Sequence, residues 1–346
     1  MPWRGRRIAG VTTHMTEESP HLTIVTNFSL TRYDPQQIMT QNGKLVIEFK
    51  AQENHGLAYM GGMLSSWNKF CFTGGYIETS VQLPGTNEAS GYWPAVWTMG
   101  NLGRAGYGAS TDGMWPYSYE KCDLGTLMNQ TLDGVPDVQG LELGDPAYNY
   151  SLSYLSGQRL SACTCPGELH PGPVNPDGTF VARSAPEIDI FEAQIDSTLK
   201  AGAVSQSCQF APYNAHYSWD NATYLQFYQP AGTQELNGFK GNVYQQSTSV
   251  VSKTDQLCYE MTIEPCYAVY GFQYQPGYQE DNAHITWVNN NKLSWTLHAG
   301  GVGADPIAQI SERVIPMEPM VRVCVPSAVV CTVDGHSQAC PHSTSS

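Results

Sequence analysis

What most limits the fold of this chain is its punctuation. Between Lys44 and His298 short alternating runs recur, closed at close intervals by Gly, Pro or Asn, and no stretch keeps a helical period for long. Expected strands are Lys44 to Phe49, Gly75 to Leu83, Glu187 to Ile195, Ala201 to Phe210, Ala222 to Gln229, Asn242 to Val251, Cys266 to Tyr274, Ala283 to Asn289 and Lys292 to His298. Gly91 to Met99 is apolar throughout and reads as a strand buried on both faces, with Pro94 marking an edge or a bulge. A further strand is expected at His21 to Phe28. With no internal repeat and no splitting linker in 346 residues, the expectation is one all-β domain of two packed sheets. The segment from Gly100 to Ser184 loses all period and carries Cys122, Cys163 and Cys165, which points to a long loop pinned by disulfides.

Charged residues make up only 14% and aromatics 11%, a mix that excludes a coiled coil and a charge-rich disordered chain. The formal charge is −14, so nucleic acid and anionic bilayers are repelled at long range. A neutral, hydroxyl-rich substrate that binds by stacking and hydrogen bonds suits the 8 Trp and 20 Tyr. Ten cysteines without zinc-finger spacing read as extracytoplasmic disulfides, and sequons at Asn27, Asn129, Asn149 and Asn221 lean the same way. No apolar h-region follows Arg4, Arg6 and Arg7, and no run of apolar residues is long enough to span a bilayer. The nine histidines form no ligand cluster along the chain, and neither a metal nor a cofactor is expected.

The segment Ala185-Pro186-Glu187-Ile188-Asp189-Ile190-Phe191-Glu192-Ala193 is the richest in chemistry. On a regular strand Glu187 and Asp189 share a face while Ile188 and Ile190 pack behind, which leaves Glu192 out of phase. A β-bulge at Ile190-Phe191 restores the phase and stacks three carboxyl groups along one face. Acids that close together split their pKa values, and that split separates a nucleophile from a general acid. Cleavage of a glycoside with retention needs the two working carboxyls about 5 to 5.5 Å apart. A solvated acidic strand has the same spacing, as does a three-carboxylate calcium site, though no DxDxDG-type loop surrounds these residues. Trp93 and Trp97 lie four apart in the neighbouring expected strand, and Trp67 and Trp115 lie in or beside loops, where indole faces can stack on sugar rings.

Taken together, the segments Ser65 to Gly75, Trp93 to Arg104, Trp115 to Tyr119, Arg159 to Gly167, Ala185 to Ala193 and Val204 to Ser207 resemble the fungal Kre6/Skn1 family. That family is related to glycoside hydrolase family 16 and is associated with cell-wall β-1,6-glucan synthesis. The resemblance runs from Tyr33 to Met320. It implies a concanavalin-like β-jelly-roll sandwich of two antiparallel sheets, with a β-glucan polysaccharide as partner. It further implies Glu187 as nucleophile, Asp189 as its electrostatic helper and Glu192 as acid/base. Candidate substrate-binding residues are Trp67, Asn68, Trp93, Trp97 and Trp115. Family members are membrane-anchored with this domain on the lumenal side, which implies the secretory pathway.

Residues 1–32 and 321–346 depart from the family pattern, so the expected organisation is an atypical leader, a family 16-like domain over 33–320, and an atypical tail. A jelly-roll cut at both ends and short of its terminal strands is the corresponding expectation. Two functions fit: a retaining glucan hydrolase or transglycosylase, and a non-catalytic glucan-binding or scaffold protein of wall assembly.

Overall fold

The structure, a computed structural model, describes residues 31–66, 70–100, 131–132, 135–136, 176–178, 186–196, 201–210, 220, 222–238, 241–242, 245–264, 266–302, 314–315, 320–325 and 329–334. Fifteen strands build two sheets. In chain order they are β1 (Leu64–Ser65), β2 (Cys71–Phe72), β3 (Gly75–Val81), β4 (Ala95–Gly100), β5 (Glu187–Asp196), β6 (Ala201–Phe210), β7 (Leu225–Phe227) and β8 (Gln234–Leu236). There follow β9 (Gly241–Asn242), β10 (Gln245–Lys253), β11 (Ala268–Gln275), β12 (His284–Asn289), β13 (Lys292–His298), β14 (Met320–Val325) and β15 (Val329–Asp334).

The larger sheet runs β8-β10-β6-β5-β4-β14-β1, with β9 beside β10 and β2 beside β14; the smaller runs β7-β13-β12-β11-β3-β15. Every pairing in both is antiparallel. These are the two packed sheets expected from the alternation, in the jelly-roll sandwich that the family resemblance implied. The described helical elements are single 3-10 turns.

Alternation decides which face of each strand is buried. In β12 the order His284 to Asn289 turns Ile285 and Trp287 inward, and in β3 Ile77, Thr79 and Val81 turn inward. Their partners from the larger sheet are Ile188, Ile190, Phe191, Val204 and Val250, and the rings of Phe191 and Tyr270 meet at 4.9 Å between the layers. Trp287 and Trp295 stack with centroids 4.0 Å apart and planes 1° from parallel, both wholly buried.

Two elements differ from expectation. Among the described residues, Lys44–Ile47 pairs only with Ile38–Gln41 as a separate hairpin, turned through Asn42 and Gly43, both at positive φ. Past residue 320, where the sequence shows little alternation, the backbone enters both sheets: β14 pairs along the free side of β4, and β15 along that of β3. Backbone pairing does not need alternation, and two strands with open hydrogen-bonding edges are strong templates for it.

The expected strand at His21 to Phe28, the asparagines of the four sequons, Cys122, Cys163, Cys165, Trp67, Asn68 and Trp115 lie outside the described residues. Within them, one disulfide joins Cys258 to Cys266, while Cys208 is an unpaired thiol buried in the core. No described helix is long and apolar enough to cross a membrane.

Candidate active site

β5 sits in the middle of the larger sheet, and its register breaks where the alternation had to break. Against β4, Asp189 faces Trp97 while Phe191 already faces Val96; against β6, Asp189 faces Ser207 and Glu192 faces Ser205. One extra residue is thus accommodated on β5 between Asp189 and Glu192. As in a β-bulge, two successive side chains, Ile190 and Phe191, both enter the core, and neither is exposed at all. Glu192 is returned to the face of Glu187 and Asp189, the face turned away from the smaller sheet.

A bulge displaces ladder carbonyls, and buried carbonyls without a donor are costly. Three side chains supply donors. Gln206 Nε2 donates to the Ile190 carbonyl and to the Val288 carbonyl of the opposite sheet, both at 2.9 Å. Trp287 Nε1, also from the opposite sheet, donates to the Asp189 carbonyl at 2.8 Å. Thr98 Oγ1 donates to the Ile188 carbonyl at 2.9 Å. All three residues are buried.

The three acids have different surroundings. Asp189 is fully buried; its Oδ2 accepts from Ser207 Oγ at 2.6 Å and from Gln209 Nε2 at 3.0 Å. Burial outweighs those donors and raises its pKa to about 6. Glu187 and Glu192 are half-buried. Burial, then the charges of Asp189 and Glu192, and then a hydrogen bond to Asp189 hold the Glu187 carboxyl well above the ordinary range. Glu192 is pushed up to about 8 by burial and by the Asp189 charge, against a hydrogen bond from the Trp93 side chain that pulls it down.

Among the described residues, no group other than a neighbouring acid is placed to donate to Asp189 Oδ1, which is buried. Two carboxylates cannot hydrogen-bond each other, so the contact between Glu187 and Asp189 requires a proton. The raised pKa of Glu187 identifies the group that holds it at rest, donating to Asp189. Glu187 and Glu192 are thus both held toward their protonated forms, by burial first and by the neighbouring acid charges second.

Trp93 is 59% exposed beside Glu192, free to meet a ligand with its ring. Trp97 is half-buried and stands opposite Asp189 in register, on the acidic face. The residues that sequence reasoning did not single out are Thr98, Gln206, Ser207, Gln209 and Trp287. Ser207 and Gln209 had a signal, since they alternate on the strand after the acids; Trp287, on another sheet, had none. Asp255 and the two sulfurs of Cys258 and Cys266 lie close together, but both sulfurs are spent in the disulfide.

The family description "Beta-glucan synthesis-associated protein SKN1/KRE6/Sbg1" matches residues 18–326. Beta-glucan synthesis-associated protein KRE6 of Saccharomyces cerevisiae is 41% identical over 290 residues, 83% of this chain and 36% of that protein. Its counterpart SKN1 of Candida albicans is 38% identical over 289 residues, 83% of this chain and 35% of that protein. The chain thus spans about a third of the length of these curated relatives. Among solved structures, the laminarinase catalytic domain of Thermotoga maritima is similar at 14% identity with a TM-score of 0.40, covering 89% of this chain and 76% of that one.

Proposed function

This chain belongs to the SKN1/KRE6/Sbg1 family of beta-glucan synthesis-associated proteins, and on that premise we propose that it is a retaining β-glucan-active glycosidase or transglycosylase. The observation that carries the reading is the bulge at Ile190-Phe191, because it sets Glu187, Asp189 and Glu192 on one face with unequal proton affinities.

In this reading Glu192, protonated at neutral pH, is the general acid and gives its proton to the glycosidic oxygen as the bond to the leaving sugar breaks. Glu187 attacks the anomeric carbon and forms a glycosyl ester. Its proton passes to Asp189 Oδ1, a buried oxygen with an open acceptor position. In the second step the Glu192 carboxylate takes a proton from water or from an acceptor sugar hydroxyl, which attacks the anomeric carbon. Glu187 then leaves as a carboxylate and recovers its proton from Asp189. Asp189 acts as a proton reservoir; the donors Ser207 and Gln209 fix which of its oxygens is available. Trp93 is positioned to stack on a sugar next to Glu192, and transfer prevails over hydrolysis where an acceptor displaces water.

A secretory location and a membrane-anchored longer protein accompany this proposal, by likeness to the family. The test is Glu187→Gln, which is expected to lower turnover of β-glucan oligosaccharides by at least about 10³-fold while glucan binding stays within about threefold. Mass-spectrometric trapping with a fluoroglycoside should add one sugar to Glu187. Glucan binding with neither turnover nor trapping in the unaltered chain would leave the scaffold function instead.

A further inference from the structure

The face of the smaller sheet turned away from the core carries its own constellation. His284 on β12 and His298 on β13 stand directly opposite one another in register, with ring centroids 6.0 Å apart and planes at 51°. Both rings are half-buried, and neither takes part in the chemistry of the acidic face. His284 Nδ1 lies 2.8 Å from the Asn282 carbonyl oxygen. A carbonyl can only accept, so this nitrogen carries the proton and Nε2 of the neutral ring keeps its lone pair. Fixing one ring nitrogen on a backbone carbonyl so that the other is a ligand is how proteins orient metal-bound histidines.

From this geometry we infer that His284 and His298 form a two-imidazole site for a divalent transition-metal ion on the outer face of the smaller sheet. Bonds of about 2.0–2.1 Å from each imidazole to one ion set the ring centroids roughly 5–6 Å apart, and the observed 6.0 Å lies at the upper end of that range. Cross-strand partners on a hydrogen-bonded ladder are held at fixed spacing, which lowers the ordering cost of chelation. The next pair along the same face, Thr286 and Thr296, is locked by a 2.7 Å hydroxyl hydrogen bond, which steadies the two strands beside the site. Imidazole nitrogen selects Zn²⁺, Cu²⁺ or Ni²⁺ over Mg²⁺ and Ca²⁺. Two protein ligands leave positions open for water, so the ion is expected to exchange readily.

The experiment uses the untagged full chain, freed of metal with a chelator and titrated with Cu²⁺. Electron paramagnetic resonance should show two equatorial imidazole nitrogens at one equivalent of Cu²⁺. His284→Gln and His298→Gln should each reduce this to one nitrogen and weaken binding at least tenfold, whereas His55→Gln should change neither. Fewer than two nitrogens in the unaltered chain would overturn the site without need of any variant. It would also fall if both nitrogens persisted in either variant.

Discussion

Trp287, on the smaller sheet, holds the backbone of Asp189, on the larger one, through an indole N–H to carbonyl hydrogen bond of 2.8 Å. The acidic face and the core are thereby one mechanical unit: the bulge that aligns the acids is clamped from behind by a residue that never meets substrate.

Trp287→Phe keeps an aromatic ring against Trp295 but leaves the Asp189 carbonyl buried without that donor. The expected loss is about 1–3 kcal/mol in denaturant unfolding, together with a fall in turnover, because the bulge loosens under Asp189. Gln206→Met removes two such donors at similar volume and should cost at least as much. A Trp287→Phe chain as stable and as active as the original would show that the clamp is dispensable.

The rate should follow a bell-shaped profile. Above pH about 8 Glu192 loses the proton it must donate, and below about 6 Asp189 is already protonated and cannot take the proton of Glu187. These limbs belong to the coupled cluster rather than to single residues. Trp93 donates to Glu192 and favours its ionised form, so Trp93→Phe should raise that pKa and move the alkaline limb upward. A limb that stayed in place, or moved down, would remove Trp93 from the acid's environment.

Folding stability carries the same signature. The folded-state pKa of Glu192 lies above its ordinary value of 4.5, so its contribution is fully present below that pH and is lost as pH rises through about 8. Glu192→Gln has no such penalty. Its melting temperature relative to the unaltered chain should therefore rise steadily from pH 4.5 to pH 9. A constant difference across that range would mean that Glu192 is not held in a desolvated place.

Cys258 and Cys266 close a loop of 8 residues' separation whose backbone binds back to Leu83. Cys258→Ala with Cys266→Ala should lower stability by about 2–3 kcal/mol through the regained freedom of the unfolded chain. Chemical denaturation of both chains without reductant checks this: the double variant should unfold at lower denaturant than the original.

Much of the sandwich could be read in advance because strand alternation is local. Glu187 to Ile195, Ala201 to Phe210 and Lys292 to His298 coincide with β5, β6 and β13 to within a residue. The bulge was also readable, since Ile190 and Phe191 are adjacent apolar residues between acids that had to share a face. The strands at Met320–Val325 and Val329–Asp334 were not, because their order comes from the open edges of β4 and β3, which lie more than 200 residues earlier in the chain.

The order of amino acids alone settled the periodicity, the family and the three acids, all properties that neighbouring residues share. Only the folded sandwich decided which carbonyl Trp287 would meet, which oxygen of Asp189 was left open, and that two histidines fourteen positions apart would face each other. Those are distances across strands and between layers. Packing and register create them, and no spacing along the chain encodes them.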